Sequence, residues 1–123
     1  MTAAHYPYAS PITAYGNGGF RFADMSHKGS ILCLPSGVWG WEATRADALK
    51  VEDFARPLAE LSAPAVLLFG SGATQVWPDE DIIRAFANAG LGLEVMSTGA
   101  AARTYNVLLA EGRTVAAALL AVE

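Results

Sequence analysis

The order of hydrophobic and polar positions predicts short strands first and alternating strands and helices afterwards. Residues 1–10 show no periodicity and are predicted to form a loosely ordered lead-in, so a single α/β domain is expected over 11–123. Two short aromatic-containing runs, 12–15 and 20–22, flank a glycine-rich segment with an Asn-Gly pair. This pattern is typical of a β-hairpin, and the length of the loop, 16–19, favours a bulge.

Two further strands are predicted before the middle of the chain. The run 30–34 is almost entirely apolar and ends at Pro35, as a buried strand does. Residues 38–43 alternate, which places Trp39 and Trp41 on the same face of a strand. Two hypotheses follow for this pair: the indoles form an exposed apolar patch suited to a protein partner, or they pack under a helix.

The remainder of the chain alternates between helical and extended patterns. A helix within 51–61 is expected to start close to Pro57, because proline cannot donate a backbone hydrogen bond inside a helix. A second helix is predicted to start at Pro78, followed by three acidic residues that complement the helix N-terminus. Its buried face is predicted to consist of Ile82, Ile83, Phe86 and Ala89. Strands are predicted at 65–69, 93–96 and 114–122, and a third helix at about 100–111.

Composition and charge exclude several classes of function. The 123 residues are 53% hydrophobic and 16% charged, which is richer in apolar and poorer in charged residues than an average globular domain. Disorder is therefore not expected, and the apolar-rich surface makes a homo-oligomer a further hypothesis. The net charge is −4 and the 8 basic residues are scattered, so no nucleic-acid partner is predicted. No apolar run reaches the roughly 18 residues of a membrane span, and a cytoplasmic location is expected by elimination. The single Cys33 is expected to be a small buried hydrophobe.

The most plausible binding site lies where two predicted parallel strands end. Their carboxyl ends share one edge of the sheet, where the loops 70–75 and 97–99 follow, and the second loop leads into a helix. Free backbone N–H groups and the helix dipole favour an anion at such a place. The candidate ligand-binding residues are Gly70, Ser71, Gly72, Thr98, Gly99, Arg103 and Asn106. The alternative is purely structural: the glycines form tight turns, Thr98 caps the helix and Arg103 pairs with a carboxylate.

The sequence nominates no cofactor, metal site or catalytic residue. Its glycines lack both the dinucleotide fingerprint and the Gly-Lys-Ser/Thr of a P-loop. His5 and His27 are far apart in sequence, with no further ligand at metal-binding spacing. The consecutive acids 79–81 diverge in direction on a helix start, so capping explains them better than paired acid/base catalysis.

Several segments carry a family resemblance. Residues 93–113, followed by 115–119, are similar to the C-terminal signature of a family of small domains of unknown function that includes the mitochondrial complex I (NADH dehydrogenase) assembly factor 3. Further matching features are 16–22, 29–32, Trp41, 69–72 and Trp77-Pro78. Within the signature, Thr98, Arg103, Tyr105, Asn106, Glu111 and Arg113 match by position.

The resemblance implies a three-layer α/β fold with a mixed central sheet, helices on its faces and an antiparallel last strand. It also supports 114–122 as a strand, although that alanine-rich segment has the propensity of a helix. It implies no reaction.

Two functional hypotheses follow. In the first, the chain is a non-enzymatic binding or assembly protein that helps a respiratory or membrane-associated complex to mature. Its protein partner would bind near the loops 70–75 and 97–106. In the second, a small anionic ligand binds in the same crevice, with or without catalysis.

Overall fold

A computed structural model describes residues 5–123, which form eight strands, three α-helices and two short 3₁₀-helical turns. The strands are β1 (Ile12–Gly16), β2 (Gly19–Phe22), β3 (Met25–Lys28), β4 (Ser30–Leu34), β5 (Gly37–Trp41), β6 (Val66–Gly70), β7 (Gly92–Met96) and β8 (Val115–Leu119). The α-helices are α1 (Ala55–Glu60), α2 (Glu80–Asn88) and α3 (Thr98–Ala110), and the 3₁₀-helical turns are Ala46–Ala48 and Val51–Phe54.

The central sheet is mixed and has the strand order β5-β4-β8-β6-β7. Strands β6, β7 and β8 are parallel to one another, and β4 is antiparallel to both β5 and β8. The expected antiparallel last strand is therefore wrong for the pairing of β8 with β6 and holds only against β4. The reason is that α3 returns the chain to the starting edge of the sheet, so β8 enters in the direction of β6.

Two hydrophobic clusters cover the two faces of this sheet, which confirms the three-layer α/β architecture. One face packs against the Val51–Phe54 turn and α2 through Phe54, Ile82 and Phe86. The opposite face packs against α3 and the sheet β1-β2-β3. The alanines of β8 are completely buried, and their small side chains allow both layers to approach the centre of the sheet.

The N-terminal hairpin is confirmed, but its turn is tighter than predicted and it continues into a third strand. Gly16 pairs with Gly19, so the loop has only the two residues Asn17 and Gly18, at φ 52° and 79°. The irregularity lies instead within β1, between Ile12 and Ala14. Strand β3 was missed because the turn before it, 23–24, uses Ala and Asp at positive φ and carries no glycine signal.

The two tryptophans of β5 pack under neighbouring residues rather than forming an exposed patch. Trp41 is buried in edge-to-face contact with Phe54 and Phe69, and its Nε1 donates to the backbone oxygen of Asp53 at 2.8 Å. Trp39 is half-buried, with the Arg56 guanidinium 3.7 Å from its ring centroid. The hypothesis of an exposed Trp39/Trp41 patch is therefore wrong. The predicted strand 38–43 also ends earlier, at Trp41.

Helix boundaries differ from prediction at α2, where Pro78 lies outside the helix. Asp79 is the N-cap and Glu80 the first helical residue. Ile82 and Phe86 are buried as predicted, whereas Ile83 and Ala89 are exposed because the contact face is narrower than the predicted stripe. The start of α1 at Ala55, two residues before Pro57, agrees with prediction.

The start of the chain is described from His5 onwards. Residues 1–4 of the predicted lead-in lie outside the described residues. His5 and Tyr6 donate backbone hydrogen bonds to the Val38 carbonyl, at 2.8 and 3.3 Å. The division of the chain at residue 10 stays a prediction.

Candidate functional site at the ends of the parallel strands

The predicted loops meet beside a groove of about 640 Å³ at the carboxyl ends of β6 and β7. The groove is lined by Ser71, Gly72, Ser97, Gly99 and Arg103 among the predicted loop and helix residues. Tyr15 of β1 and the segments 44–47 and 121–123 complete its walls. The groove thus lies at the sheet edge predicted from the order of the elements, and its remaining walls come from sequence-distant residues.

Ser71 closes the first loop on itself. Its buried hydroxyl lies 2.8 Å from the Thr74 carbonyl and 3.2 Å from the Met96 carbonyl, and it accepts a hydrogen bond from the Val76 N–H at 2.8 Å. Its backbone N–H donates to the Met96 carbonyl at 2.9 Å. These bonds fix the loop against the end of β7, so the hydroxyl stabilises the site from within.

The buried Thr98 connects α3 to the first loop and to the end of β8. Its hydroxyl donates to the Leu120 carbonyl at 2.7 Å and accepts from the Gly72 N–H at 3.0 Å, while its own N–H donates to the Gly72 carbonyl at 2.8 Å. At Gly70, a Cβ atom would come within 2.9 Å of the Thr98 Cα. Helix α3, the first loop and the end of β8 are therefore joined around a side chain that solvent does not reach.

The cap of α3 is Ser97, not Thr98 as the structural alternative supposed. The Ser97 hydroxyl accepts from the Ala100 N–H at 3.3 Å, and the helix begins two residues earlier than predicted. The Tyr15 side chain lies directly against Gly99, where a Cβ would overlap the Tyr15 hydroxyl. Several of the backbone donors proposed for an anion therefore already have protein partners.

Asn106 holds the N-terminal sheet to α3. Its Oδ1 accepts from the Ile12 N–H and its Nδ2 donates to the Ile12 carbonyl, both at 2.8 Å. An asparagine side chain can satisfy both backbone groups of one residue because it carries a donor and an acceptor. The structure does not place this side chain among the groove-lining residues.

Arg103 is the predicted residue that remains directed to solvent. It is exposed on α3 and lines the groove. Within residues 5–123 it forms no ion pair with a carboxylate at 4.0 Å or less, so the expected pairing is not found there. The nearby Arg45 forms a bidentate ion pair with Asp47: its Nε donates to Oδ1 at 3.0 Å and its Nη2 donates to Oδ2 at 2.7 Å.

A second groove, of about 870 Å³, lies between β5 and α1 and had no sequence signal. Its polar lining includes His27, Glu42, Glu52 and Arg56. The His27 and His5 rings lie 4.5 Å apart. Burial, and then the proximity of His5, lower the pKa of His27, although a backbone hydrogen bond at Ser30 opposes the shift.

The part of the chain that the structure describes contains no group of three or more potential metal ligands. It also contains no helix that combines the length and apolar character needed to cross a membrane.

Comparison with known proteins places this architecture among related chains. An uncharacterised protein of Rhodobacter capsulatus is 38% identical over 112 residues, which cover 91% of this chain and 85% of that protein. The crystal structure of a Bartonella henselae protein, described as an outer membrane protein, is 49% identical and superposes with a TM-score of 0.90. It covers 97% of this chain and 100% of the other.

A more distant similarity connects the chain to an assembly factor. The mouse NADH dehydrogenase (ubiquinone) 1 alpha subcomplex assembly factor 3 is 26% identical over 120 residues, or 98% of this chain, which spans 65% of the mouse protein. A family model described as "Protein of unknown function (DUF498/DUF598)" matches residues 12–120. The chain belongs to this family.

Proposed function

We propose that this protein is a non-enzymatic binding protein that assists the assembly of a respiratory complex, with complex I as the first candidate. The observation that carries the proposal is the similarity to assembly factor 3, which extends through 98% of this chain rather than through one motif. The proposed contact surface is the groove and the loops around it. A cytoplasmic location is part of the same proposal.

The geometry of the groove supports a protein contact. The Ser71 and Thr98 hydroxyl groups form internal hydrogen bonds that hold the loops in place. A partner would therefore meet a largely preformed surface. A preformed surface reduces the ordering cost of association. Arg103 and Tyr15 stand exposed at its margin and can contact a partner without breaking these bonds.

Complementation of a deletion strain tests the proposal. Deleting the gene should lower the amount of assembled complex I on native gels, and wild-type protein should restore it. Arg103→Glu should restore less than Arg113→Glu, a matched charge reversal that lies beyond the far end of α3. Unchanged complex I in the deletion strain would refute the assembly role.

The alternative function is a site for a small anion at the same groove. Of the predicted ligand-binding residues, Ser71, Gly72, Gly99 and Arg103 would line the site, and Gly70, Thr98 and Asn106 would support it from outside the groove. The exposed Arg103 guanidinium beside the capped start of α3 favours it. Thermal-shift measurements with phosphate and small carboxylates should then raise the melting temperature of wild type but not of Arg103→Ala. Equal responses of the two proteins, or none, would remove this alternative.

A further inference from the structure

Three apolar side chains are exposed where the first loop meets α2. Trp77 is 60% exposed, Val76 38% and Ile83 37%. Val76 also lines the groove of the candidate site, and Trp77 and Ile83 line an adjoining depression of about 840 Å³ between α2 and residues 47–50. We call Val76, Trp77 and Ile83 the Trp77 shoulder.

The backbone next to the Trp77 shoulder is fixed on both sides. The Val76 N–H donates to the Ser71 hydroxyl at 2.8 Å, and the side-chain Nε2 of Gln75 donates to the Val95 carbonyl at 2.9 Å. Pro78 is buried, and Asp79 begins the helix immediately after it. The indole is therefore presented by an ordered segment, and ordered aromatic side chains are the usual anchors of protein interfaces.

The charge around the Trp77 shoulder distinguishes among the occupants that could cover it. The adjoining depression is lined by three carboxylates, Asp47, Asp79 and Glu80, and by one ammonium group, Lys50. Asp47 is paired with Arg45, whereas Glu80 and Asp81 share the single Arg84. The carboxylates of Asp47, Asp79, Glu80 and Asp81 thus outnumber the cations of Arg45, Lys50 and Arg84 by one next to the exposed indole.

This negative charge disfavours both a second copy of the chain and an anionic membrane, and it favours a basic protein segment. A symmetric contact between two copies would bring the same carboxylates against each other, and an anionic lipid surface would be repelled in the same way. A protein segment with an apolar residue flanked by Lys or Arg would bury the indole and neutralise the carboxylates.

We propose that the Trp77 shoulder docks a basic, apolar segment of a partner protein. The inference rests on the proposed function as a protein-binding module and specifies which face of the molecule carries the contact and which chemistry it recognises.

Indole N–H resonances in two-dimensional NMR test the proposal on the wild-type protein. The probes are a Leu/Lys amphipathic peptide and a Leu/Glu peptide of equal length, and Trp77→Phe assigns the Trp77 signal. The Leu/Lys peptide should shift the Trp77 signal and leave that of Trp41 unmoved, because the latter is bonded to the Asp53 carbonyl in the core. Binding should weaken at least tenfold for Trp77→Ser and for the Leu/Glu peptide.

Val107→Ser is the matched control, since Val107 is an exposed apolar residue on α3 and should bind the peptide as wild type does. An unmoved Trp77 signal, equal binding of both peptides, or equal weakening by Val107→Ser would overturn the inference. So would a Trp77 signal that changes on dilution, which indicates a second copy, or one that shifts with phosphatidylglycerol vesicles but not with the peptide.

The deletion strain separates this inference from the proposed function. If the strain has a complex I defect that Trp77→Ser restores fully, the Trp77 shoulder is not the contact and the assembly role stands. If deletion causes no defect although the peptide shifts Trp77, the assembly role fails and the docking surface stands.

Discussion

Thr98 illustrates how a side chain with the chemistry of a ligand can serve the architecture instead. Its hydroxyl lies at the carboxyl edge of the parallel strands, as a binding residue would, yet it is fully buried between Gly72 and Leu120. A hydroxyl can donate one hydrogen bond and accept others, so a single oxygen satisfies a carbonyl and an N–H group that the fold leaves facing each other. The side chain thus completes the backbone of the site.

Replacing Thr98 by valine tests this role. Thr98→Val keeps the shape but leaves the Gly72 N–H and the Leu120 carbonyl without this partner, so we expect the free energy of unfolding to fall by about 1 to 3 kcal/mol. Thr98→Ser should lose less, because it retains the hydroxyl. Urea unfolding measures both, and Thr104→Val on the same helix should stay close to wild type. Equal stability of Thr98→Val and wild type would contradict the assigned role.

Tyr105 presents the opposite case, a buried polar atom without a partner. Within residues 5–123 its hydroxyl makes no hydrogen bond. Burial, and then the nearby Cys33, raise the pKa of this phenol. An unsatisfied buried hydroxyl is destabilising, so Tyr105→Phe should raise the free energy of unfolding by about 1 kcal/mol. Thermal unfolding checks this, and a clear loss of stability would show that the hydroxyl is satisfied in solution.

At the scale of elements, the contact between β1 and α3 depends on one amide side chain. Asn106 bonds both backbone groups of Ile12. The Gly18 N–H in the hairpin turn donates to the Val122 carbonyl at 2.7 Å, and the buried side chains of the hairpin make apolar contacts with α3 and the central sheet. Asn106→Ala should therefore loosen the sheet β1-β2-β3 more than the central sheet, at a cost of about 1 to 3 kcal/mol.

Hydrogen exchange followed by mass spectrometry would reveal this selective loosening. Peptides from 12–28 should lose protection in Asn106→Ala while peptides from 66–70 keep it. Asn88→Ala, an exposed asparagine near the end of α2, is the matched control. A uniform loss of protection throughout the chain would indicate that Asn106 supports the whole fold rather than this one contact.

The elements that the sequence predicted well are those whose pattern is decided locally. The apolar runs of β4 and β6 are buried as expected. Strand β8 is the exception, because its alanines have helix propensity and its prediction as a strand was supported by the family resemblance. Strand β3 has no buried residue and follows a turn without glycine, so neither periodicity nor turn chemistry marks it. The start of α2 was displaced because Pro78 is acceptable both inside a helix start and just before it.

At the scale of the molecule, topology predicted where the candidate site lies but not which way its side chains point. Parallel strands bring their loops to one edge of the sheet, so the order of the elements is enough to predict that edge. The direction of Thr98 depends on a carbonyl 22 residues away, and the wall beside Gly99 is the sequence-distant Tyr15. Such partners are set by packing between layers, which no local pattern in one sequence reveals.

The contact between His5 and His27 links three parts of the molecule and should make its stability depend on pH. His27 belongs to β3, His5 is held at β5 through its N–H bond to Val38, and both rings lie over Gly40. Burial and the neighbouring imidazole lower the pKa of His27 in the folded state. The unfolded chain, with an ordinary histidine pKa of about 6.5, then binds more protons than the folded chain as the pH falls through that value.

Folding stability should consequently decrease on acidification from about pH 7 towards the lowered pKa of His27, and it should be retained above this range. The effect should be modest, because the His27 ring is only partly buried. In urea titrations between pH 8 and 5, His27→Gln should flatten the pH dependence, and His5→Ala should reduce it by removing the second imidazole. An unchanged slope in His27→Gln would assign the acid sensitivity to other groups.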